Sequence, residues 1–543
     1  MKKSELINLF SSHIIKIDNY YNDETYIEVS RDMLPEIVAE LMVISQGTLM
    51  SIICIDEREL SESKCFKIHY AFKVPFENTK DKNPAKSSIM ASDELKEILV
   101  LTIKVFEAEP EFHSITNICL AANWYEREIA DMFGLKPIHH LDMKRLCHHE
   151  KFPQNIYPLR KDFAGETAII PMENNSIASK VEGHGIYELP VGPIHAGIIE
   201  PGHFRFSCLG EHIINLDAKL FFTHRGLEKM AEGMDHFKAN FIAERVCGVC
   251  SLSHSVAYSN AVEKICGTEV PKRAKYLRTI LLELERISGH LTDIMGIALD
   301  VAYYSASTFA SILRENILET AYEILRSRYF HSINMPGGLR RDITGDSLKK
   351  IEALAERLPG EIDRLSHLLL SSTSFLERVE TTGYLFTNTA LELGIVGVGA
   401  RASKIKCDAR KAFGYEAYNE CEFNEITGQA GDVYSRMMVR LGELQESAKI
   451  IKQLLSKLPQ GKISEPIGTI PPFKPAFGIT EAPKGEHSHF VVFDNNAKIY
   501  RLKIRSASFA NWLALTFAVK GNIVPDFPVI NKSFNLCYSA CDR

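Results

Sequence analysis

The segment LRTILLELERISGHLTDI, residues 277–294, decides the fold class of most of this chain. Its apolar side chains recur every three or four residues, at Leu277, Ile280, Leu284, Ile287, Leu291 and Ile294. This is the period of an amphipathic α-helix that turns one face toward a core. The segment therefore predicts a long helix within a mainly helical region.

A second helical pattern lies further along the chain. Asp432 precedes a run with apolar residues at Met437, Leu441, Leu444, Ile451, Leu454 and Leu458, and Pro459 and Gly461 follow that run. Aspartate is a favoured cap at a helix start, and proline and glycine commonly end a helix. Further helices are predicted at residues 310–328 and 361–380, and strands at 489–493 and 499–504. Residues 187–543 are therefore predicted to form a mainly α-helical domain with a few edge strands.

The N-terminal region has a different pattern. Runs typical of β-strands occur at residues 25–29, 66–72 and 98–106, and a helical stretch lies at 32–45. Residues 1–165 are therefore predicted to form a separate α+β domain. The polar residues 76–94 are interpreted as a loop, and residues 166–186 as an extended linker between the two domains.

Composition limits the classes of protein that fit this sequence. The 543 residues are 45% hydrophobic and 24% charged, with a net charge of −6 and a pI near 6.4. A nucleic-acid-binding protein usually carries an excess of basic residues, so we expect no nucleic-acid partner. Neither a signal peptide nor a run of about 18 apolar residues is evident. We therefore expect the cytosol as the compartment, with any membrane association made through partner subunits.

The strongest chemical signal is the segment ERVCGVCSLSH at residues 244–254. On a helical turn, Cys247 and Cys250 would present both sulfurs to one side, and His254 could donate a hydrogen bond to the Cys250 sulfur. Arg245 adds a permanent positive charge near two thiolates that are costly to bury. A soft metal prefers such thiolates, but a zinc site, a redox dithiol and plain core cysteines also fit this motif.

A second pair of cysteines lies in the segment SFNLCYSACDR at residues 533–543. Cys537 follows Cys247 by 290 residues, whereas zinc modules keep their cysteine pairs about 12–20 residues apart. This spacing favours a site buried between distant elements of one large domain. The alternative is that Cys537 and Cys541 are two unrelated cysteines.

The two cysteine segments resemble those of nickel–iron hydrogenase large subunits, Arg-x-Cys-Gly-x-Cys-x-x-x-His and Cys-x-x-Cys. The likeness is greatest to the energy-converting class, with the large subunits of formate hydrogenlyase and hydrogenase 4. It extends over residues 192–197, 200–206, 224–229, 335–338, 408–411 and 481–486. Several of these segments are shared with the 49-kDa quinone-site subunit of complex I, which lacks the metal cysteines.

The N-terminal region resembles the 30-kDa subunit of complex I, through WYEREIADMFG at residues 124–134 and YPLRKDF at 157–163. Charge alone would make Glu126-Arg127-Glu128 a solvated helix face. The resemblance instead implies a structural and docking signature without a catalytic role. The likeness thus covers nearly the whole chain and implies an accessory domain fused to a catalytic one.

The resemblance implies reversible formation of H₂ from protons and electrons. In the family, four thiolates hold nickel, and two of them bridge to an iron that carries CO and cyanide. Carried over to this sequence, Cys247 and Cys537 are terminal nickel ligands and Cys250 is a bridge. Cys541 is the only candidate for the second bridge.

The same resemblance assigns roles around the metals. Glu200 is the implied first proton relay, because a carboxylate at the metal's edge has a tunable pKa. Lys484 stands where hydrogenases usually place an arginine over the metal's open face; complex I subunits also have lysine there. Glu228 is implied to hold a magnesium ion together with the C-terminal end.

The C-terminal segment departs from the family pattern. The second cysteine of the motif is expected at position 540, where this chain has Ala540, and Cys541 lies one residue beyond it. One step along an α-helix turns a side chain by about 100°. Asn535-Leu536 also replaces the usual Asp-Pro. We therefore expect Cys541 to complete the site only if the last turn stays α-like or unwinds toward the metal.

Partners follow from the small number of grouped cysteines, because electrons must leave through iron–sulfur clusters held elsewhere. The resemblance implies an iron–sulfur small subunit, a ferredoxin-like electron-transfer subunit, membrane antiporter-like subunits and a formate dehydrogenase. It also implies peripheral attachment to the cytoplasmic side of the inner membrane. The alternative hypothesis is a coupling or quinone-site module of a complex I–like assembly with a vestigial metal pocket.

Overall fold

The computed structural model describes residues 3–45, 47–60, 62–75, 96–165, 167, 169–172, 181–196 and 199–543. The loop predicted at 76–94 and part of the linker predicted at 166–186 lie outside these residues. The described residues of that linker before Ile186 form neither helix nor strand, and a strand begins at Ile186.

The N-terminal region is built on one five-stranded sheet. Its strands are β1 (Ile14–Tyr21), β2 (Glu24–Val29), β3 (Thr48–Asp56), β4 (Cys65–Pro75) and β5 (Lys96–Phe106), in the spatial order β1-β2-β5-β4-β3. Strands β2 and β5 are parallel and the other neighbours are antiparallel. Helices α1 (Lys3–Leu9) and α2 (Leu34–Ser45) belong to the same region. The three strands and the helix predicted here are confirmed, and the apolar residues of the sheet divide between two buried clusters.

A helix that carries the acidic docking signature follows this sheet. It is α3 (Asn123–Phe133), and it lies between the short parallel strands β6 (Glu111–His113) and β7 (Lys136–Ile138). Gly134 ends α3 with a φ of 71°, a left-handed conformation that favours glycine. Glu126 and Glu128 are only 0% and 5% exposed, so the interpretation as a solvated face is wrong.

The remainder of the chain is mainly helical. An antiparallel sheet of β8 (Ile186–Val191), β9 (His203–Leu209) and β10 (His212–Lys219) precedes it. The helices are α4 (Leu227–Ala231), α5 (His236–Glu244), α6 (Ser251–Cys266), α7 (Lys272–Asp300), α8 (Tyr304–Leu325), α9 (Asp346–Leu370), α10 (Thr373–Val379), α11 (Thr387–Glu392), α12 (Val398–Ala402), α13 (Ala409–Ala412) and α14 (Val433–Ser456). A two-stranded ribbon, β11 (Asn334–Met335) and β12 (Gly338–Leu339), interrupts this series.

The long helices follow the apolar patterns of the sequence. Helix α7 contains the predicted segment 277–294, and the carboxylate of Asp432 caps α14 by accepting from the Ser435 amide at 2.8 Å. The helix predicted at 361–380 is two helices, because Ser372 caps a new start at α10. Helix α7 packs against α8, α14 and a helix near the end of the chain (Phe527–Phe534), and it forms the centre of the helical region.

The last part of the chain returns to a sheet before it reaches the second cysteine pair. The sheet contains β13 (Ala476–Ala482), β14 (Gly485–Phe493) and β15 (Ile499–Arg505), all antiparallel. Helices α15 (Ala507–Ala518), α16 (Phe527–Phe534) and α17 (Tyr538–Asp542) follow.

The N-terminal sheet packs against this last sheet. The two share one buried apolar cluster, with Ile53 and Val100 on one side and Phe477 and Phe490 on the other. The mixture of helix and strand with an N-terminal sheet is therefore as predicted. The division at residues 165 and 187 stays a prediction.

Candidate metal centre

The first cysteine pair lies in the turn between α5 and α6, whereas the sequence predicted that both cysteines lie on a helical turn. Helix α5 ends at Glu244, and Cys250 immediately precedes α6 with a φ of −125°. Cys247 and Cys250 are each 1% exposed. The turn thus presents two buried thiols at the start of a long helix.

A carboxylate from the central helix supports this turn. The Glu285 oxygens of α7 accept from the Leu252 amide at 2.7 Å and from the Ser253 amide at 3.0 Å. The first amides of a helix have no partner within the helix, so Glu285 caps α6 directly behind Cys250. Burial raises the pKa of Glu285 to about 7. Sequence analysis missed this residue, since its position in α7 carries no motif.

The second cysteine segment meets the first. Cys537 precedes α17, and its sulfur accepts from the Ala540 amide at 3.4 Å. The Sγ atoms of Cys247 and Cys537 are 3.5 Å apart, although 290 residues separate them in sequence. The contact with Cys250 raises the pKa of Cys247, and the contact with Cys247 raises the pKa of Cys537. A bound metal would therefore displace protons from these thiols.

Helix α17 separates Ala540 from Cys541. The amide of Cys541 donates to the Cys537 carbonyl at 3.1 Å, which is an α-helical hydrogen bond. Ala540 packs in the same cluster as Cys247 and Cys250, whereas the fully buried Cys541 packs in the main core. Three thiols thus share one buried cluster, whereas Cys541 packs in the neighbouring core, and its role as the fourth ligand stays a prediction.

Glu200 lies beside this short helix. Its Oε2 atom accepts from the Ser539 amide at 2.8 Å, and the Ser539 hydroxyl is 3.2 Å from the Cys537 sulfur. The carboxylate is partly exposed, so it can reach both the thiol segment and solvent. This position is compatible with the predicted proton relay.

Lys484 lies at the tip of the hairpin formed by β13 and β14. Its Nζ atom forms an ion pair with Asp293 of α7, which also accepts from Arg440 at 2.8 Å and from Asn535 at 2.6 Å. Burial opposes ionisation of Asp293, but Lys484 and Arg440 hold its pKa below the usual value. The ammonium group is therefore fixed near the residues that precede Cys537.

The hairpin tip closes over the first cysteine turn through a glycine. A Cβ atom at Gly289 of α7 would lie 2.5 Å from the Pro483 Cβ and 3.7 Å from a Val249 methyl group. Only glycine therefore permits the tip to approach α7 and the cysteine turn this closely.

The two other residues predicted from the first motif have different surroundings. The Arg245 side chain is 50% exposed and pairs with Glu244 at 3.2 Å, so it does not provide a buried charge beside the thiols. His254 is fully buried, and its Nδ1 atom is hydrogen-bonded to His489 at 2.9 Å instead of to the Cys250 sulfur. Burial lowers the pKa of His254 well below its usual value, so the ring is neutral.

Arg225 connects the two cysteine segments instead. Its guanidinium donates to the carbonyls of Arg245 at 2.7 Å and Val246 at 3.0 Å, and to that of Ser539 at 2.9 Å. One side chain thus holds the cysteine turn and α17 at a fixed separation. The resemblance to hydrogenase large subunits includes residues 224–229, but only the folded structure shows the contacts of Arg225.

Glu228 does not fit a magnesium ion. Its oxygens lie 2.9 Å from Arg501, 3.3 Å from Arg543 and 3.4 Å from Lys503. Burial opposes its ionisation, but these cations hold the pKa of Glu228 far below the usual value. A divalent cation would be repelled by three positive charges that already neutralise this carboxylate. The predicted magnesium site is therefore corrected to a buried ion-pair cluster.

Three of the four cysteines predicted as ligands have the chemistry and the positions to bind one metal through their thiolates. Cys247, Cys250 and Cys537 supply the soft donors that nickel accepts. Within the described ranges, no group of three or more His, Cys, Asp or Glu side chains is arranged to hold a metal ion as it stands. No helix in that part of the chain combines the length and apolar character needed to cross a bilayer.

Comparison with protein families gives three matches. Nickel-dependent hydrogenase matches residues 225–298, which contain the first cysteine pair. The 30 Kd subunit of respiratory-chain NADH dehydrogenase matches residues 27–168, and the 49 Kd subunit matches 300–474 and 467–543.

Individual relatives cover most of the chain. It is 33% identical to formate hydrogenlyase subunit 5 of Escherichia coli (strain K12), over 96% of this chain and 89% of that protein. It is 31% identical to hydrogenase-4 component G of the same organism, over 98% and 91%. A solved chain of the membrane-bound sulfane sulfur reductase, an archaeal respiratory membrane complex, is 32% identical with a TM-score of 0.63, over 66% of this chain and 99% of that one.

These matches join a nickel-dependent hydrogenase region to both complex I subunits in one chain, as the cysteine and docking motifs predicted. The protein therefore belongs to the large subunits of energy-converting nickel–iron hydrogenases of the formate hydrogenlyase and hydrogenase 4 type, oxidoreductases homologous to the 30-kDa and 49-kDa subunits of complex I.

Proposed function

We propose that this protein is the catalytic large subunit of a membrane-associated complex that interconverts H₂ with protons and electrons. The observation that carries the proposal is the 3.5 Å contact between the Cys247 and Cys537 sulfurs, with Cys250 in the same buried cluster. Cys247, Cys250 and Cys537 would hold nickel, with iron and its CO and cyanide ligands beside it. When bound, this group would supply H₂ activation and electron transfer.

The surrounding residues would handle protons and exclude water. Glu200 would accept a proton at Oε1, since its Oε2 atom already accepts from the Ser539 amide. Lys484 would keep a positive charge near the metals, because Asp293 holds its ammonium group in a buried ion pair. Burial of the cysteine turn would keep bulk water away from the thiols, which strengthens every local charge interaction.

The partners remain part of the proposal. An iron–sulfur small subunit would take the electrons, and a ferredoxin-like subunit would pass them on. Membrane antiporter-like subunits and a formate dehydrogenase would complete a formate hydrogenlyase–type assembly, bound peripherally on the cytoplasmic side of the inner membrane. Relatives named as a formate hydrogenlyase subunit and as part of a respiratory membrane complex support this organisation.

The domain organisation follows the same proposal. Residues 1–165 would form the 30-kDa-like accessory domain, 166–186 the linker, and 187–543 the catalytic domain. The family matches at 27–168 and 225–298 support boundaries in this region.

Metal content of the purified complex tests the function. We expect nickel and iron in the parent complex, together with H₂/D₂ exchange. Cys247→Ser should lose both, because a hard oxygen replaces a soft thiolate. Cys421→Ser is the matched control, since Cys421 is a partly buried cysteine whose sulfur donates to the Ala417 carbonyl. Nickel at parental content in Cys247→Ser would overturn the ligand assignment.

A second candidate function is a coupling or quinone-site module without H₂ chemistry. It is favoured by Ala540, which supplies a methyl group to the thiol cluster where the family has a bridging thiolate. The relative titled a sulfane sulfur reductase indicates that related chains serve other redox reactions. A parent complex that contains no nickel, and that gains none on Ala540→Cys, would favour this alternative.

A further inference from the structure

A buried ion cluster joins the N-terminal region to the end of the second cysteine segment. The Arg543 guanidinium lies 3.0 Å from Glu128 of α3 and 3.3 Å from Glu228 of α4. Lys503 lies 2.6 Å from both oxygens of Glu128. All four side chains are at most 7% exposed. Because such charges are costly to bury alone, each depends on its partners for its position.

Arg543 directly follows the short helix that carries the thiol segment. Helix α17 has five residues, which is too few for stability on its own. Its start is held by the Cys537 amide, which donates to the Ser508 hydroxyl at 2.9 Å. Its end is held by Arg543, whose amide donates to the Ser539 carbonyl at 3.0 Å and whose guanidinium is in the ion cluster.

We propose that Glu128 is a positioning residue for the thiol cluster. By pairing with Arg543, it anchors the end of α17 and so fixes the separation of Cys537 from Cys247. The accessory domain then takes part in forming the metal site and does more than dock against the catalytic domain. The guanidinium takes the place beside Glu228 that a divalent cation would need, so this anchor is independent of magnesium.

Two other buried charged residues provide controls that distinguish the proposed role of Glu128 from a general loss of stability. Glu126 lies on the same helix, but it accepts from the Ile115 amide at 3.0 Å within the N-terminal region. Lys73 forms another buried ion pair across the same interface, 2.9 Å from Glu486. Neither residue contacts Arg543 by hydrogen bond or ion pair. Glu126→Gln thus controls for loss of a buried carboxylate, and Lys73→Met for weaker domain docking.

The test measures the position of Cys537 without relying on enzyme activity. The full-length chain is depleted of metal and treated with iodoacetamide, and alkylation of the Cys537 peptide is followed by mass spectrometry. Glu128→Gln should raise the alkylation rate about tenfold, because α17 opens locally more often. Glu126→Gln and Lys73→Met should leave the rate near that of the parent. Glu128→Asp should restore part of the protection.

Two outcomes would overturn the proposal. One is a parental alkylation rate in Glu128→Gln, and the other is an equal rise in Lys73→Met, which would indicate only docking. A second measurement adds magnesium to the metal-depleted parent chain: the alkylation rate should not change, and a fall on adding magnesium would contradict the magnesium-independent anchor. The inference uses Cys537 as a proposed ligand, but the labelling result stands even if Cys537→Ser retains nickel.

Discussion

The two cysteine segments of the site are held in different ways. The first, Cys247 to Cys250, lies between two helices and is fixed by a buried carboxylate that caps the longer one. The second, at Cys537, lies on a five-residue helix that is held by hydrogen bonds from residues 223–225 and Ser508 and by the ion pairs of Arg543 with other parts of the chain. The first segment is thus continuous with a long helix, whereas the second depends almost entirely on contacts with other parts of the chain.

This difference indicates where the site can change. The first segment cannot shift without moving α6, which packs against β13 and β14 along its length. The second segment can change by one residue, since this chain has Ala540 where the motif has its second cysteine, and Cys541 follows one residue later. We therefore expect substitutions to affect the two segments unequally, and five predictions test this.

The largest effect is expected at Cys537 itself. Cys537→Ser should abolish nickel retention and H₂ uptake, because it removes the only thiol that the second segment brings to the cluster. Inductively coupled plasma mass spectrometry of the purified complex measures this directly. If this variant keeps its nickel, the second segment is not needed to bind the metal, and the metal site does not depend on both cysteine segments.

The next effect concerns protons. Glu200→Gln should retain nickel and iron but slow H₂/D₂ exchange by about 10²-fold or more, because an amide cannot relay a proton. The exchange is followed by membrane-inlet mass spectrometry under D₂. Since Glu200 contacts only the second segment, an unchanged rate would remove that segment from proton transfer.

Arg225 tests the connection between the two segments. Arg225→Met removes three hydrogen bonds to their carbonyls, and we expect nickel affinity to fall about tenfold, as for other groups that orient ligands. Competition with a chelator gives the affinity. Arg245→Met is the matched control, since its half-exposed side chain pairs only with Glu244. Equal losses in both variants would argue against this bridging role.

Titration of Glu285, the residue that caps α6 behind the first segment, should contribute to the pH dependence of the free energy of unfolding. Burial raises the pKa of Glu285 from 4.5 to about 7, so the folded state binds a proton more tightly than the unfolded state. Its contribution is fully present below about pH 4.5 and is lost as the pH rises to about 7. Denaturant unfolding of Glu285→Gln should therefore show a flatter pH dependence across this window. An identical pH profile would show that Glu285 does not titrate there.

The smallest effect is expected for Cys541. Because Cys541 is fully buried in the main core and lies outside the cluster that contains Cys247 and Cys250, Cys541→Ala should keep nickel and lower the free energy of unfolding by about 1 kcal/mol. Metal analysis and chemical denaturation check the two parts. Loss of nickel would instead show that α17 rearranges to bring this thiol to the metal.

Sequence patterns predicted the parts of the site that depend on local rules. The period of residues 277–294 predicted α7, Asp432 predicted the start of α14, and the spacing of Cys247 and Cys250 pointed to a shared buried position. The convergence with Cys537 was expected from the long separation and the family resemblance.

The remaining features depend on contacts that no local pattern encodes. Glu285 and Arg225 act through backbone groups of remote segments: no motif marks Glu285, and the family likeness at residues 224–229 does not indicate which groups Arg225 contacts. The magnesium prediction for Glu228 was wrong because three cations from β15 and Arg543 reach the same carboxylate. The orientation of Cys541 required the hydrogen bonding of α17 itself.

The apolar cluster between the N-terminal sheet and the β13–β15 sheet has a consequence for handling the protein. Separate expression of residues 1–165 and 187–543 would expose Ile53 and Val100 on one fragment and Phe477 and Phe490 on the other. Exposed apolar patches of this kind promote aggregation. We therefore expect both fragments to be insoluble alone but to be rescued by co-expression.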